Sequence, residues 1–304
     1  MPGIIGSAIT RASNLMLFEA LDLYKLQPWR ALCTVAPSTA ASEKYEWLGH
    51  LPGMKEFLDA RQVEGIAKYD YTIVNKKWEA TLGFKEEEIN DNAGILKPRI
   101  TGLAQSVQMH PNKLVFDLLM AGHTAGSLCY DGQLFFDTDH PNFTAAGVAS
   151  TDGINYLSGN GVDTVAHIAT DFFLALTALT NTNRRRDGTP VLPSIGKPTI
   201  YHAVHDTAIM KSAFGDQFLA AGAANSLYGM ATPVSAPWLT TDSSWFLVAE
   251  GMPVNPIIFQ DREPVTPEWD ETQKFNTGKV FYGVKARYNV GYGLWQGCLM
   301  VYNA

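Results

Sequence analysis

Apolar side chains near the start of the chain recur with the period of a helix. Between Ser7 and Leu26 they lie three or four positions apart, which is the spacing of one helix face, and Pro28 ends the pattern. The predicted buried face comprises Ile9, Ala12, Met16, Ala20 and Leu23. Residues 27–44 are rich in Ala, Ser and Thr and predict an irregular, extended arm, which must lie on another surface because its backbone cannot be buried alone.

The pattern changes to a period of two between Tyr69 and Phe84. Apolar and polar residues alternate on both sides of residues 75–77, which predicts a β-hairpin with one apolar face. A two-stranded ribbon is not stable in isolation, so we expect that face to pack on a partner surface. The charged segment 47–61 is expected to be the other limb of the same projection.

The longest helical pattern in the chain runs from Ile95 to Gly122 and contains Pro111. Proline inside a helix costs about 3 kcal/mol. The pattern therefore predicts either one bent helix or two abutting helices, with Pro111 at the first position of the second. Gly122 and Gly126 are expected to end the helical segment.

The segment 143–250 has the features of a separate lobe. A polar, glycine-rich loop leads to a helix with Asp163 as the expected cap, followed by a strand at Thr199–Val204 and a second helix near Asp206–Phe218. The apolar face of the first of these helices is predicted to carry Val165, Ile168, Phe172, Leu176 and Leu179. Beyond this lobe the chain returns to strands at Pro256–Gln260, Val280–Tyr288 and Gly293–Tyr302.

Composition and charge narrow the class of protein. The chain has 304 residues, 46% of them hydrophobic, which suits one or two folded domains and is too apolar for a disordered chain. It lacks a membrane-length apolar run and a secretory signal, so we expect a soluble protein made in a cytoplasm. With a net charge of −7, the chain as a whole has no electrostatic attraction to nucleic acid. Three widely spaced cysteines, Cys33, Cys129 and Cys298, predict reduced thiols and not a disulfide or zinc framework.

One basic cluster stands out, formed by Arg184, Arg185 and Arg186. A turn at Asp187 and Gly188 follows it directly. The simpler interpretation is a solvated loop tip, and the alternative is a salt-dependent contact with a neighbouring subunit.

The segment Tyr130–Pro141 carries the strongest suggestion of chemistry. Asp137, Asp139 and His140 are close enough in sequence to be ligands of a divalent metal, or a base with its orienting acids. No HExxH, paired CxxC or calcium loop supplies further ligands, so we favour a structural turn in which the Asp side chains accept bonds from nearby backbone amides. The chain also lacks a GxSxG elbow, a phosphate-binding loop and a dinucleotide fingerprint, and we expect no cofactor, no metal and no catalytic residue.

Five stretches in chain order resemble the major head subunit family of Mu-type tailed phages. They are APSTAASEKYEWLGHLPGMKEF (36–57), YTIVNKKWEATLGFKEEEI (71–89), HPNKLVFDLLMAG (110–122), YDGQLFFDTDHP (130–141) and VFYGVKARYNVGYGLWQ (280–296). The resemblance covers nearly the whole chain, and it implies an α+β protein of the Hong Kong 97-type capsid fold.

The resemblance also implies a division of the chain. The expected parts are an N-terminal helix and arm (1–45), an extended hairpin called the E loop (46–85), a peripheral domain with a long spine helix (86–142), an axial domain (143–252) and the return strands of the peripheral domain (253–304). The residues then expected at subunit interfaces are Trp47, Lys55, Glu56, Arg61, Trp78, Arg184, Arg185 and Arg186.

The implied function is that of a major capsid protein of a double-stranded DNA phage. Copies of the chain would associate as hexamers and pentamers of an icosahedral shell in the virion, assembled in the host cytoplasm. Scaffolding, portal and decoration proteins are the other expected partners, and the DNA would be enclosed without sequence-specific binding. Two alternatives stay open: a nanocompartment shell of the same fold, and a metal-dependent hydrolase built on Asp137, Asp139 and His140.

Overall fold

The computed structural model describes most of the chain, and the helices and strands below lie within residues 3–23, 27–46, 48, 70–91, 93–192, 196–219, 222–240, 244–249, 252–272 and 274–303. The helices are α1 (Gly3–Leu23), α2 (Trp29–Leu32), α3 (Glu86–Asp91), α4 (Leu96–Ala121), α5 (Val165–Thr177), α6 (Thr207–Gly215) and α7 (Lys274–Thr277). The strands are β1 (Cys33–Pro37), β2 (Ser42–Lys44), β3 (Thr72–Val74), β4 (Lys76–Lys85), β5 (His140–Phe143), β6 (Ala149–Gly153), β7 (Tyr156–Ser158), β8 (Thr199–His202), β9 (Thr232–Ser235), β10 (Trp245–Val248), β11 (Ile257–Asp270), β12 (Lys279–Tyr292) and β13 (Cys298–Tyr302).

A four-stranded sheet, here called the peripheral sheet, has the strand order β1-β11-β12-β4. β1 runs parallel to β11, and the other two pairs are antiparallel. Helices α1 and α4 pack on each other and on this sheet, because Leu17 and Ile100 are fully buried with Phe84 and Tyr282 of the strands. The long helix therefore lies along the sheet as the resemblance implied for a spine helix.

α4 is one helix that continues through Pro111. The alternative of two abutting helices is therefore wrong. Pro111 cannot donate a backbone hydrogen bond, and the buried faces on both sides of it offset that loss, since Ile100, Val115 and Leu119 are fully buried. The helix ends at Gly122, as expected, whose amide donates to Leu119 O.

A second sheet, here called the axial sheet, has the strand order β7-β13-β10-β8-β9. α5 and α6 pack against each other beside this sheet, where the ring centroids of Phe172 and Phe214 lie 5.2 Å apart. Both helices share a core with Trp245 and Leu247 of β10.

The residues 253–304 were expected to return to the peripheral sheet. β11 and β12 do so, whereas β13 pairs with β10 and β7 and carries the C-terminal end of the chain into the axial lobe.

The N-terminal segment differs from its prediction in two respects. α1 buries Ser13, Leu17 and Ala20, while Ala12 and Leu23 of the predicted face are exposed, because packing on α4 selects a face rotated by about one residue. The stretch 27–44 was expected to be irregular. It forms α2, β1 and β2 instead, and α2 is held by the burial of Trp29 and Leu32 in the main core.

The strands predicted between Tyr69 and Phe84 exist, but they do not form a hairpin with each other. β3 pairs with β2, and β4 pairs along its whole length with β12. Asn75 is instead bonded to the stretch before β2, because its backbone amide donates to Ala41 O (2.9 Å) and its side-chain Nδ2 donates to Ser38 Oγ (2.7 Å) and Ala40 O (2.9 Å). Alternation within each strand predicts its two faces but carries no information on its neighbour.

Candidate functional site

The segment Tyr130–Pro141 folds as a turn that is anchored to its own backbone. The amide of Cys129 donates to Gln133 O (2.8 Å), and the amide of Gly132 donates to Cys129 O (3.2 Å). Gly132 has φ 87°, a left-handed conformation that glycine adopts without strain. Asp131 Oδ1 accepts the amide of Gln133 (3.2 Å), which is the local side-chain bond expected of Asp in a turn.

The turn brings His140 onto Asp131, nine residues earlier. His140 Nδ1 lies 2.8 Å from Asp131 Oδ2, and both side chains are almost completely inaccessible, with 0% and 1% of their surface exposed. Burial alone would raise the pKa of Asp131, but the hydrogen bond and charge of His140, the amide of Gln133 and the thiol of Cys129 together lower it. The pair is thus a buried carboxylate held by an imidazole.

Asn155 and Trp295 complete the surroundings of His140. The Asn155 amide is oriented by two bonds, because Nδ2 donates to Phe135 O (2.7 Å) and Oδ1 accepts from Asp137 N (2.9 Å). The same Oδ1 lies 3.2 Å from His140 Nε2. Each ring nitrogen of His140 therefore faces an oxygen acceptor, Nδ1 that of Asp131 and Nε2 that of Asn155. The ring stacks on Trp295 with centroids 4.1 Å apart and planes 9° apart.

The three residues proposed as a metal or base site are not brought together. Asp137 Oδ1 accepts the amide of Thr138 (2.8 Å), and Asp139 is exposed to solvent. Across the described residues, no three or more His, Cys, Asp or Glu side chains form a group that could hold a metal. Asp137, Asp139 and His140 therefore do not form the metal site that the hydrolase alternative requires. Asp131 was not predicted as the partner of His140, although the turn dipeptide Asp131-Gly132 indicated that the chain reverses there.

Trp78 packs within its own chain. Its Nε1 donates to Tyr288 O (2.9 Å), and its ring centroid lies 4.3 Å from that of His110. Burial lowers the pKa of His110, the nearby charge of Lys113 lowers it further, and Asp117 acts in the opposite direction. Trp78 is half-buried, so part of its surface is still available to a neighbour. The other expected interface residues of the hairpin region, Trp47, Lys55, Glu56 and Arg61, lie outside the described residues.

The three arginines of the basic cluster have different surroundings. Arg184 donates to Gly188 O and to Asn181 Oδ1, both at 2.8 Å, and Arg185 donates to Val191 O at 3.4 Å. These two side chains therefore brace their own loop. Arg186 is exposed in the single chain, and the expected contact of these arginines with a neighbouring subunit stays a prediction.

Two helices carry large apolar side chains that are exposed to solvent. Helix α5 carries Phe173 and Leu174 on its outer face, with 40% and 53% of their surface exposed, and α1 carries Leu15 and Phe18 in the same way. The helical period predicted the buried face of α5 correctly, but it did not single out the outer face. None of the described helices is long and apolar enough to cross a membrane.

Comparison with known proteins identifies the family that this chain matches. Residues 8–185 and 222–303 match the model of the family described as Mu-like prophage major head subunit gpT. The chain is 30% identical over 272 residues to the Mu-like prophage FluMu major head subunit of Haemophilus influenzae, a match that covers 87% of this chain and 63% of that protein. It is 33% identical over 149 residues to the major capsid protein of Escherichia phage Mu, covering 49% and 45% of the two chains. The chain thus spans less than two thirds of the length of these relatives.

Solved structures show the same fold. The chain resembles a subunit of the procapsid of bacteriophage JBD30 with a TM-score of 0.59 and 27% identity, over 99% of this chain and 75% of that chain. It resembles the virus-like particle from Pyrococcus furiosus with a TM-score of 0.54 and 10% identity, over 95% and 98% of the two chains, a likeness of fold alone. The expected Hong Kong 97-type capsid fold is confirmed.

Proposed function

This chain belongs to the Mu-like prophage major head subunit gpT family, and we propose that it is the subunit that builds the head shell of a tailed double-stranded DNA phage. The observation that supports the proposal most is the agreement of two independent likenesses along the chain. The family match spans residues 8–185 and 222–303, and the structural likeness to the JBD30 procapsid subunit spans 99% of the chain.

The proposed mechanism is mechanical. Many copies associate into rings through the axial lobe, and the segment 46–85 and the N-terminal segment tie neighbouring copies together. The load of packaged DNA is then distributed over many contacts between identical chains. Membership of a family of head subunits implies a structural role, and no catalytic step is part of this mechanism.

Charge supports a role in enclosing DNA without binding it. The net charge of −7 repels phosphate at long range, so the inner wall of such a shell would let the polymer slide during packaging and release. Arg184 and Arg185 are occupied by their own loop, which leaves Arg186 alone among the three as an exposed cation.

We propose further that the chain assembles in the host cytoplasm and becomes part of the virion. Scaffolding, portal and decoration proteins are the proposed partners, because a closed shell needs a size control and a single entrance for DNA. A nanocompartment of the same fold is the alternative, and the likeness to the Pyrococcus particle concerns the fold only. The family membership favours the phage head.

The test is assembly of the purified chain. We expect closed shells of uniform size by electron microscopy when the chain is produced with the other head proteins of its phage, and no shift of double-stranded DNA on gels at physiological salt. A chain that stays monomeric with all those proteins present, or particles that enclose a single enzyme and no DNA in the infected host, would contradict the proposal.

A further inference from the structure

The loop 159–164 joins β7 to α5 and contains the only Asn-Gly pair of the chain, Asn160 and Gly161. Asn160 is exposed to solvent. A glycine after an asparagine leaves the side-chain amide open to attack by the next backbone nitrogen, because glycine has no Cβ to obstruct the approach. The pair therefore has the chemistry of a spontaneous deamidation site, and the surrounding structure determines whether the reaction can proceed.

Deamidation at this pair needs water and no other reactant. The backbone nitrogen of Gly161 forms a bond to Cγ of Asn160, the proton of that nitrogen passes to solvent, and Nδ2 takes up a proton and leaves as ammonia. Water then opens the resulting cyclic imide at either carbonyl, which gives an aspartate or an isoaspartate. Water is consumed, ammonia is released, and no group is oxidised or reduced.

The carboxylate of Asp171 holds both nitrogens of Asn160. Its Oδ2 accepts the backbone amide (2.9 Å), and its Oδ1 accepts the side-chain Nδ2 (2.5 Å). Asp171 lies on the inner side of α5 with 2% of its surface exposed, so it cannot follow the Asn160 side chain outward. Movement of Cγ toward the nitrogen of Gly161 would break the bond to Nδ2 and leave a buried carboxylate oxygen without this donor, which is unfavourable.

The attacking nitrogen is held by the C-terminal end of the chain. Gly161 N donates to Oδ1 of Asn303 (2.9 Å), a buried residue that follows β13. The amide of Gly159 donates to Tyr302 O (2.8 Å), which fixes the loop on the same strand. Gly161 has φ 101°, a conformation that suits glycine. Both reacting groups are therefore bonded elsewhere in the folded lobe, and the reaction requires the loop to open.

The product does not fit the same site. Deamidation replaces Nδ2, a donor, by a carboxylate oxygen that faces Oδ1 of Asp171. Two carboxylates at hydrogen-bond distance repel each other. The new carboxylate can turn out toward solvent, but Asp171 then lacks one of its two donors from Asn160. The other titratable groups beside the loop, Asp163 and His167, pair with each other at 2.7 Å.

We propose that Asn160 is a site of spontaneous deamidation that the Asp171 carboxylate holds in check while the loop is closed. Opening of the loop releases both nitrogens and lets the amide be lost. The carboxylate that replaces the amide then prevents the original bonds from forming again. Deamidation is thus an irreversible mark of chains whose axial lobe has opened. The inference concerns the lobe of a single chain and does not depend on the proposed shell.

The first experiment compares deamidation rates of unassembled subunits in mildly alkaline buffer. Peptide mass spectrometry measures the loss of the Asn160 amide and separates aspartate from isoaspartate. We expect the folded parent to react at least about tenfold more slowly than the same chain unfolded in urea, because the rate follows the population of the open loop. D171N should react faster than the folded parent, because an amide at this position has one acceptor oxygen in place of two. The matched control is D163N, which removes the charge of the other acid beside the loop, leaves both bonds to Asp171 in place and should change the rate much less.

The second experiment tests the product of the reaction. N160D carries the aspartate that deamidation produces, whereas N160A removes the side-chain bond without adding a charge. At neutral pH we expect N160D to unfold at a lower urea concentration than N160A. The difference should shrink below about pH 4, where carboxyl groups take up protons and the repulsion is lost. Asp163 and His167 are present in both variants, so their titration cancels in the comparison.

Equal deamidation rates in the folded and the urea-unfolded parent would overturn the proposal, and so would an unchanged rate in a folded D171N. Equal unfolding of N160D and N160A at every pH would show that the lost amide leaves no lasting effect and would also overturn it. If D171N does not fold, the comparison of folded and unfolded parent decides the outcome. All these measurements use unassembled subunits, so a chain that forms no shells would contradict the proposed function alone.

Discussion

Replacing His140 by alanine leaves the carboxylate of Asp131 buried without its partner. The His140 ring is completely inaccessible, and only 1% of the Asp131 side chain is exposed, so the substitution leaves a buried cavity beside the carboxylate. The substitution also removes the bond to Asn155 and the stack on Trp295.

The expected loss follows from these contacts. Removing the partner of a buried carboxylate costs about 3–5 kcal/mol because the buried charge is left uncompensated, and stacked aromatic pairs contribute about 0.5–1.5 kcal/mol beyond their buried area. The two terms overlap because one ring makes both contacts, so we expect about 3–5 kcal/mol in total. A folded domain is stable by only about 5–15 kcal/mol. D139A, by contrast, alters an exposed side chain and should stay within about 0.5 kcal/mol of the parent.

The assay is urea unfolding of unassembled subunits, followed by tryptophan fluorescence. Trp295 lies against His140 and contributes to the fluorescence together with the other tryptophans of the chain. The double variant D131A/H140A should cost less than the sum of the single variants, because the second change removes the stranded carboxylate. Each protein is measured with and without a strong chelator, which we expect to change none of the curves.

The pH dependence provides an independent check. The pKa of Asp131 is lower in the folded chain than in the unfolded chain. Its contribution to stability is therefore present above about pH 4, near the unfolded value, and is lost as the pH falls through the folded pKa. D131N should lack this part of the acid dependence. Equal losses in H140A and D139A, or a chelator effect on the parent that H140A abolishes, would refute the reasoning.

Three further outcomes are expected. A Cβ at Gly122 would lie 2.6 Å from the Phe136 ring, so G122A should lower the unfolding free energy by about 1–3 kcal/mol. A Cβ at Gly102, within α4, would meet nothing within 4 Å, so G102A should raise the unfolding free energy by about 0.5–1 kcal/mol. Equal effects of the two variants in denaturant melts would contradict this. W78A should cost isolated subunits about 2 kcal/mol, since Trp78 is half-buried in its own chain, and an unchanged melt would show that its packing is unimportant. We expect no covalent cross-links between subunits, and a ladder of multimers from mature heads on denaturing gels would disprove that.

The sequence determined the elements whose signal is local. The 3.6-residue period and the bounding glycines predicted α4 to within one residue at its C-terminal end, and the same period predicted the buried face of α5. The cap of α5 was misplaced by one residue, because Thr164 and not Asp163 accepts the amide of His167. Local periodicity carries this information because a helix forms its bonds among near neighbours in the chain.

The tertiary structure decided which strands and side chains meet. β4 pairs with β12, whose residues are about two hundred positions away, and Asp131 reaches His140 only because the turn between them closes. Alternation fixes the two faces of a strand but not its neighbour, and a carboxylate does not reveal its partner until the backbone brings the two together. The outer side of α5 is likewise visible only when the inner side has been packed, because exposure is a property of the folded lobe and not of the sequence period.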